Sequence, residues 1–286
     1  MPRDALESLS GLDGEALERF KEVWARLRDE GREVLLDAMG NAVEENLVLD
    51  FLPVYRMGLT DADDAVRELS LRLASEEADP ELLDIYLRAA VADPDPDVRL
   101  AALEELSAYT LTAQVDDWPV ELQEKIERAL VGVLHLPGAD KDVRKAALLS
   151  LAYLTTPQTE VEIRQAHLQP DLRDVAIEAM GRNCQVTWIP DIQAELRDDD
   201  PRLRIAAAQA AAELDDRQLV PDLVDRLRDE DDDVRIAAIE ALGMIGGQDA
   251  KSVLTDLLQS RNRTLRDAAR DAMKELVDAE DPFSPN

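Results

Sequence analysis

The chain has 286 residues, a length that allows one large domain or two of ordinary size. Alanine, leucine and charged residues dominate, while aromatic residues make up 3% and glycines number 11; this favours helices and argues against a β-sandwich, barrel or propeller. The net charge of −31 would repel the phosphates of nucleic acid and an anionic membrane surface, so we expect neither as a partner.

The N-terminal segment, MPRDALESLSGLDGEALERF, is acidic and lacks the apolar core of a signal peptide. No segment further along the chain approaches the ~20 apolar residues that cross a bilayer. Cys184 is the only cysteine, so an intrachain disulfide cannot form. These features predict a cytoplasmic protein.

A helix-start pattern recurs along the chain from Gly31, where the sequence reads GREVLLDAMG. Later copies include DPDPDVRLAALEEL from Asp93 and DEDDDVRIAAIEALG from Asp229. The copies share one arginine and recur about every 31 residues, which predicts a repeat architecture. The shared residues are Arg32, Arg67, Arg99, Arg144, Arg173, Arg204, Arg235 and Arg266.

Each copy has the features of a helix N-terminus followed by one apolar helix face. Four residues before the arginine stands a capping residue, for example Asp95, Asp200 or Asp231, and proline often follows it. Apolar residues recur at steps of four, which indicates one face of a helix, here named helix B. A shorter amphipathic helix A precedes it, such as WIPDIQAELRD from Trp188. The predicted unit is therefore a helix pair, and stacked pairs share one core.

This pattern resembles the HEAT-repeat family, particularly the short bacterial PBS-lyase HEAT-like repeat. The resemblance lies in the Asp-x-x-x-Arg helix start followed by Ala-Ala and Ala-Leu-Gly, and it covers about residues 25–280. It implies an all-α solenoid, an α-α superhelix of about eight HEAT-like helix pairs forming a single domain over 1–278. The 45 residues between Arg99 and Arg144 indicate an insertion at 112–123, and 279–286 is expected to be a disordered tail.

The resemblance also implies a polar ladder in which the recurring arginines and turn aspartates join neighbouring repeats. We expect these residues to support the scaffold rather than to form a binding site. The expected members of the ladder are Arg67, Arg99, Arg144, Arg173, Arg204, Arg235, Arg266, Asp95, Asp200 and Asp231.

Residues that could carry chemistry are few. Neither His135 nor His167 precedes a glutamate, whereas the metal hydroxylases of the HEAT family use several His-Glu pairs, so we expect no metal. The acidic run from Asp93 has Val98 where a calcium loop needs glycine. Cys184 has no histidine nearby in sequence, so we expect a buried structural thiol. The chain is therefore predicted to be no enzyme and to need no cofactor.

A partner would bind the stripe formed by the first and fifth residues after each arginine, because helix B lines the concave side of HEAT solenoids. This stripe is mainly acidic with four aliphatic exceptions, which suits a basic amphipathic protein partner, although scattered surface aliphatics are also common. The candidate contact residues are Leu100, Glu104, Leu149, Glu178, Ile205, Ile236 and Glu240. The insertion around Trp118 is either a functional irregular segment or a longer helix A.

Three functions follow from these features. The first is a non-catalytic protein–protein interaction scaffold or adaptor. The second is an accessory subunit of a bilin-attachment system, since PBS-lyase HEAT-like proteins include such subunits. The third is a generic scaffold whose acidic surface is an adaptation to salt.

Overall fold

The computed structural model describes residues 3–46, 48–74 and 79–280, and within them the chain is helical and contains no strand. The helices are, in chain order, α1 (Arg3–Glu7), α2 (Gly14–Trp24), α3 (Asp29–Glu45), α4 (Leu52–Gly58), α5 (Asp64–Leu73), α6 (Leu83–Ala92), α7 (Pro96–Val115), α8 (Val120–Leu134), α9 (Lys141–Leu151), α10 (Pro157–His167), α11 (Arg173–Arg182), α12 (Ile189–Glu195), α13 (Pro201–Leu214), α14 (Val220–Arg226), α15 (Asp232–Ile245), α16 (Gly247–Leu257) and α17 (Arg263–Glu280).

Every recurring arginine lies in an odd-numbered helix from α3 to α17, and each of these helices follows a partner from α2 to α16. The described residues therefore form eight helix pairs, as the arginine spacing predicts, with α1 as an additional helix. The predicted N-caps are also found, since Asp95 and Asp231 each accept hydrogen bonds from two backbone amides of the first turn. The all-α, HEAT-like solenoid fold is confirmed.

The chain divides into two compact units, Met1–Leu151 and Ala152–Asn286. In the first unit the B helices α3, α5, α7 and α9 pack one on the next, and in the second α11, α13, α15 and α17 do the same. Leu36 of α3, Leu106 of α7 and Leu242 of α15 are fully buried in the core. Each such leucine contributes about 2 kcal/mol to stability. The expectation of one continuous solenoid over 1–278 stays a prediction.

Neighbouring B helices of the second unit approach closely where the Ala-Leu-Gly pattern places a glycine. A Cβ atom added to Gly181 would lie 2.7 Å from the Cα atom of Ala210, and one added to Gly243 would lie 3.0 Å from that of Ala272. Both glycines are helical and have ordinary backbone angles, so the requirement for glycine comes from packing. An alanine at either position would force the two helices apart.

The insertion after Arg99 lengthens both helices around it. Helix α7 has 20 residues and α8 has 15, whereas α13 and α12 of a regular pair have 14 and 7. Trp118 is half-buried in the turn between α7 and α8, with its ring 6.3 Å from that of Tyr109. Gln123 Nε2 donates a hydrogen bond of 2.8 Å to the Trp118 carbonyl oxygen, which fastens the turn to α8.

The C-terminal end differs from expectation at its first two residues. Residues 279 and 280, which the sequence suggests are part of a disordered tail, belong to helix α17. The rest of the predicted tail, 281–286, lies outside the described residues. In the part of the chain that the structure covers, no helix combines the length and the apolar character needed to cross a membrane.

Candidate functional site

Five of the recurring arginines fasten the turn that precedes their own helix. Arg67 Nη1 donates hydrogen bonds of 3.0 Å to the carbonyl oxygens of Asp61 and Ala62, and Arg204 Nη1 does the same to Asp198 at 2.9 Å. The Asp61 and Asp198 carbonyls lie six residues before the arginine, and the Ala62 carbonyl lies five residues before it. The same contact is made by Arg99, Arg235 and Arg266.

The arginine also pairs with a carboxylate of the next repeat, again six residues before that repeat's arginine. Arg67 Nη2 lies 2.8 Å from Asp93 Oδ1, and Arg204 Nη2 lies 2.7 Å from Asp229 Oδ1. Arg32 pairs likewise with Asp61, and Arg173 with Asp198. These contacts form the ladder between repeats, and we name its acidic members the clasp aspartates: Asp61, Asp93, Asp198 and Asp229.

The ladder therefore uses different aspartates from those expected. Asp95, Asp200 and Asp231, which the sequence suggests are ladder members, cap their own helices instead, two residues after a clasp aspartate. Their capping position turns each carboxylate toward the first-turn amides of the same helix. Their backbone amides donate to the clasp aspartate, as the Asp95 amide does to Asp93 Oδ1 at 3.0 Å.

Three of the clasp aspartates, Asp93, Asp198 and Asp229, are held ionised by these donors. For Asp93 and Asp229, burial alone would raise the pKa, but hydrogen bonds from the arginine and from the capping residue's amide hold the pKa below its ordinary value. For Asp198, the hydrogen bond from the Asp200 amide has the largest effect in lowering the pKa, and Arg173 lowers it further.

Among the repeats that follow another repeat, three lack an aspartate at the clasp position. Gly138 occupies it before Arg144, His167 before Arg173, and Ser260 before Arg266. Arg144 donates through Nε to the Leu134 carbonyl oxygen at 3.3 Å. The clasp position that follows Arg99, Arg144 or Arg235 therefore carries no carboxylate. These three predicted members of the ladder, and Arg266 in the last repeat, lie at helix starts but form no clasp with a following repeat.

His167 belongs to a buried polar network in the second unit. Its Nε2 atom lies 2.7 Å from Glu195 Oε1, and Arg173 Nη2 donates to both oxygens of Glu195 and to Asp198. Glu195 is only 3% exposed. Because a buried carboxylate needs such partners, the network stabilises the junction of these helices rather than a ligand.

A second line of ion pairs joins successive A helices and was not predicted. Arg164 Nη1 lies 3.0 Å from Asp191 Oδ2, and Arg197 pairs with the buried Asp222 of the next repeat. Asp191 and Asp222 each follow a proline at the same position of helix A. That repeated Pro-Asp is the sequence signal that could have revealed the pairs.

In the first unit, the predicted partner-binding residues lie on α7 and α9. Leu100 and Leu149 are half-buried and Glu104 is exposed. Glu104 already pairs with Arg72 of the preceding repeat, since its Oε2 lies 2.8 Å from Arg72 Nη1. This part of the stripe is therefore less negative than the sequence suggests.

In the second unit, two of the predicted residues line a groove across α11, α13 and α15. Glu178 and Glu240 stand on its outer helices, and its volume is about 350 Å³. The remaining lining residues are Gln209, Ala210, Ala212, Glu213, Ala237, Ala241 and Met244. Ile205 and Ile236 are half-buried, four residues before Gln209 and Glu240 on the same helices, and do not line the groove.

Sequence reasoning missed Glu213 and Met244 because both lie nine residues after an arginine, outside the two columns chosen for the stripe. Met244 is 57% exposed at the groove. Partial desolvation raises the pKa of Glu213, Arg182 opposes the change, and Glu178 adds to it. Glu178 itself pairs with Arg182, whose Nη2 lies 2.7 Å from its Oε1.

Cys184 is exposed, and the expectation of a buried thiol is wrong. The residue follows α11 in the left-handed region, with φ of 52°, which carries its side chain away from the core. Although the residue is exposed as a whole, its sulfur lies against the Gly181 and Glu213 carbonyl oxygens, and this partial desolvation raises the pKa of the thiol. The charge of Glu213 raises the pKa further, so the reactive thiolate is disfavoured. Among the described residues, no group of three or more His, Cys, Asp or Glu is placed to hold a metal ion.

Comparison with known proteins agrees with this architecture. A family model of HEAT repeats matches residues 189–274. The resemblance to HEAT repeats, expected from the arginine and Ala-Leu-Gly columns, is thereby confirmed. No match was found among curated protein sequences.

Two solved structures share the fold. The Escherichia coli protein YibA is 18% identical, with a TM-score of 0.52 over 93% of this chain and 98% of its own. The complex of CpcE and CpcF of phycocyanin lyase from Nostoc sp. PCC7120 is 20% identical, with a TM-score of 0.51 over 79% of this chain and 94% of that one. At these identities the likeness shows the fold alone.

Proposed function

We propose that the chain is a non-catalytic scaffold that binds a protein partner on the B-helix face of its repeats. The observation that carries this proposal is a contrast within the B helices α13 and α15. Ile205 and Ile236 stay half-exposed, whereas Ala208 and Ile239, three residues later, are fully buried. Apolar side chains left beside glutamates in this way suit the centre of an interface with a polar rim.

Two features of the reactive side chains support a binding role without chemistry. The pKa of the Cys184 thiol is raised, which is the reverse of what a nucleophile needs. The imidazole of His167 is held by Glu195, and the network around it is packed inside the repeat. Arg67 and Arg204 likewise donate hydrogen bonds to backbone carbonyls of their own turns.

The alternative function, an accessory role in bilin attachment, has less support from the side chains. A tetrapyrrole needs accessible apolar and aromatic side chains around it. Trp24, Trp188, Tyr86, Tyr109 and Phe51 are instead buried in the core. The fold shared with CpcE and CpcF is compatible with either role.

The proposal is tested by placing charge on the apolar part of the stripe. The double variant Leu100→Asp, Ile205→Asp should lose the partner that the unchanged protein captures from its native cells, because a carboxylate would be buried in the interface. The measurement is quantitative mass spectrometry of the captured proteins, together with the melting temperature of each variant.

The matched control is Val161→Asp, Leu168→Asp, which adds the same charge to two exposed aliphatic residues of the A-helix side. Capture should survive in this control. If the stripe variant melts normally and still captures the same partner, the B-helix face is not the binding surface.

A further inference from the structure

We infer that the groove across α11, α13 and α15 binds a cationic amphipathic helix of the partner, an inference that rests on the scaffold role proposed above. The floor of this groove is apolar and shallow. Ala210, Ala237 and Ala241 line it, and Met244 stands at its edge. Small floor residues leave room for larger aliphatic side chains from a partner, and an exposed methionine adapts to their shape.

Charge at the groove selects the sign of the partner. One glutamate comes from each of the three helices: Glu178 from α11, Glu213 from α13 and Glu240 from α15. Glu178 is neutralised by Arg182. Glu213 and Glu240 form no ion pair with any residue that the structure describes.

Unpaired carboxylates beside an apolar floor disfavour an anionic or a wholly apolar occupant. Such a partner would remove water from the carboxylates of Glu213 and Glu240 without supplying hydrogen-bond donors or positive charge in its place. A lysine or arginine placed over each glutamate supplies the missing partner while its aliphatic stem covers the alanines. Elsewhere in this unit, the carboxylates that lie between repeats, such as Asp198 and Asp229, already have an arginine.

The usual spacing of packed helices suits a helical partner. Neighbouring packed helices lie about 8–10 Å apart, and a helical partner crossing them rises about 1.5 Å per residue. Residues about seven apart on the partner would therefore face adjacent B helices, and these residues lie on one face of an α-helix. Lysine at a heptad interval, with leucine beside it, matches the glutamates and the alanine floor.

The test uses a synthetic peptide of leucine and lysine in a heptad pattern, about 20 residues long so that it can be helical. Fluorescence anisotropy of this peptide should report saturable binding to the full chain. Glu213→Lys, Glu240→Lys should weaken binding by about tenfold or more, because attraction becomes repulsion at two positions. Met244→Asp should weaken binding as well, whereas Met244→Leu should preserve it.

The matched control is Asp225→Lys, Asp256→Lys, which makes the same change in net charge at exposed positions of the A helices. Affinity should stay within about twofold of the unchanged protein, since distant surface charges are screened by salt. A peptide of the same composition in scrambled order should bind weakly. If the lysine substitutions at the groove impair folding, Glu213→Gln, Glu240→Gln gives the same comparison with smaller effect.

Three results would overturn the inference: no binding of the heptad peptide, equal weakening by the control pair, or equal binding of the scrambled peptide. The proposed function fails separately. If the peptide does not bind but Leu100→Asp, Ile205→Asp still abolishes partner capture, the scaffold role stands and this groove is not its binding site.

Discussion

Arg204 combines two tasks in one side chain. Two carbonyl oxygens of its own turn accept hydrogen bonds from Nη1, while Nη2 reaches Asp229 of the following repeat. The side chains of Arg204 and Asp229 are 6% and 4% exposed. Only a planar guanidinium presents donors in several fixed directions, so lysine could not replace this arginine without leaving acceptors unpaired.

Replacing Arg204 should therefore destabilise the second unit strongly. Arg204→Ala leaves the carboxylate of Asp229 with only the longer arginine contact, 3.3 Å from Arg226 Nη1, and leaves the turn carbonyls without a donor. Breaking such a buried pair typically costs about 3 kcal/mol. Urea unfolding monitored by circular dichroism measures the loss. Arg202→Ala is the control, because Arg202 is 85% exposed and should change stability little; equal loss in both variants would contradict this role.

The exposed position of Cys184 shows the limit of reasoning from residue type. Cysteine is usually buried, and its place just after an apolar helix supported that expectation. The outcome was decided by the backbone, which enters the left-handed region at this residue. A positive φ at a non-glycine residue leaves little trace in the sequence.

At the scale of the element, the turn between helices A and B is a compact electrostatic unit. The clasp aspartate accepts from the arginine of the preceding repeat and from the amide of the capping residue two positions later. Asp229 and Asp231 show the full arrangement, and Asp93 and Asp95 repeat it in the first unit. The turn thus joins two repeats and starts a helix with only two aspartates.

This arrangement predicts a loss of stability in acid. The pKa of Asp93, Asp198 and Asp229 is lower in the folded chain than the value of about 3.9 expected when unfolded. The stabilisation is therefore complete above that value and is lost as the pH falls through the folded pKa. Urea unfolding between about pH 6 and pH 3 should show the decline.

Asp229→Asn isolates one contribution to that decline. The variant should be less stable at neutral pH, and its stability should fall less on acidification, because one carboxylate no longer has to be protonated. Asp225→Asn at an exposed position of α14 serves as the control. An unchanged pH dependence in Asp229→Asn would show that this clasp does not contribute.

The eight B helices could be predicted from the sequence because their signals are local. Capping aspartate, arginine and apolar spacing all lie within a dozen residues of Arg99, Arg204 or Arg235. The clasp aspartates could not be assigned in the same way. Asp93 and Asp95 are both acidic turn residues, and only the packing of adjacent repeats decides which one meets Arg67. The A-helix pair of Arg164 and Asp191 depends on the same inter-repeat packing.

Only some of the groove residues could be predicted from the sequence, for a related reason. Glu178 and Glu240 occupy a column that faces away from the core, which the helical period alone reveals. Glu213 and Met244 lie one turn further along, and whether that turn lines the groove depends on where adjacent B helices meet. The close approach at Gly181 and Gly243 fixes that meeting point.

At the scale of the whole molecule, acidic residues outnumber basic ones by 63 to 32. Even if every cation were paired, about half of the carboxylates would have no counter-charge within the chain. Self-repulsion of this excess opposes the compact state. Exposed pairs such as Arg263 and Asp267 offset it little, because surface ion pairs contribute weakly.

Salt should therefore raise the stability of this protein. Increasing sodium chloride from about 0.1 M to about 1 M shortens the screening length from about 10 Å to about 3 Å, which removes repulsion between distant carboxylates. The buried clasps are screened much less. We expect the melting temperature, measured by calorimetry, to rise. Sucrose controls for effects unrelated to charge; a melting temperature that falls with salt would mean that attractive pairs outweigh the repulsion.

Gly138 carries a consequence for how this array can change in length. A clasp works only if the loop between two repeats lets an aspartate reach the previous arginine, so it restricts the insertions that a repeat can accept. Glycine at this position removes that restriction after Arg99, and 45 residues rather than about 31 separate Arg99 from Arg144. A length change at this junction therefore breaks no clasp, whereas the same change between Arg204 and Arg235 would have to keep Asp229 within reach of Arg204.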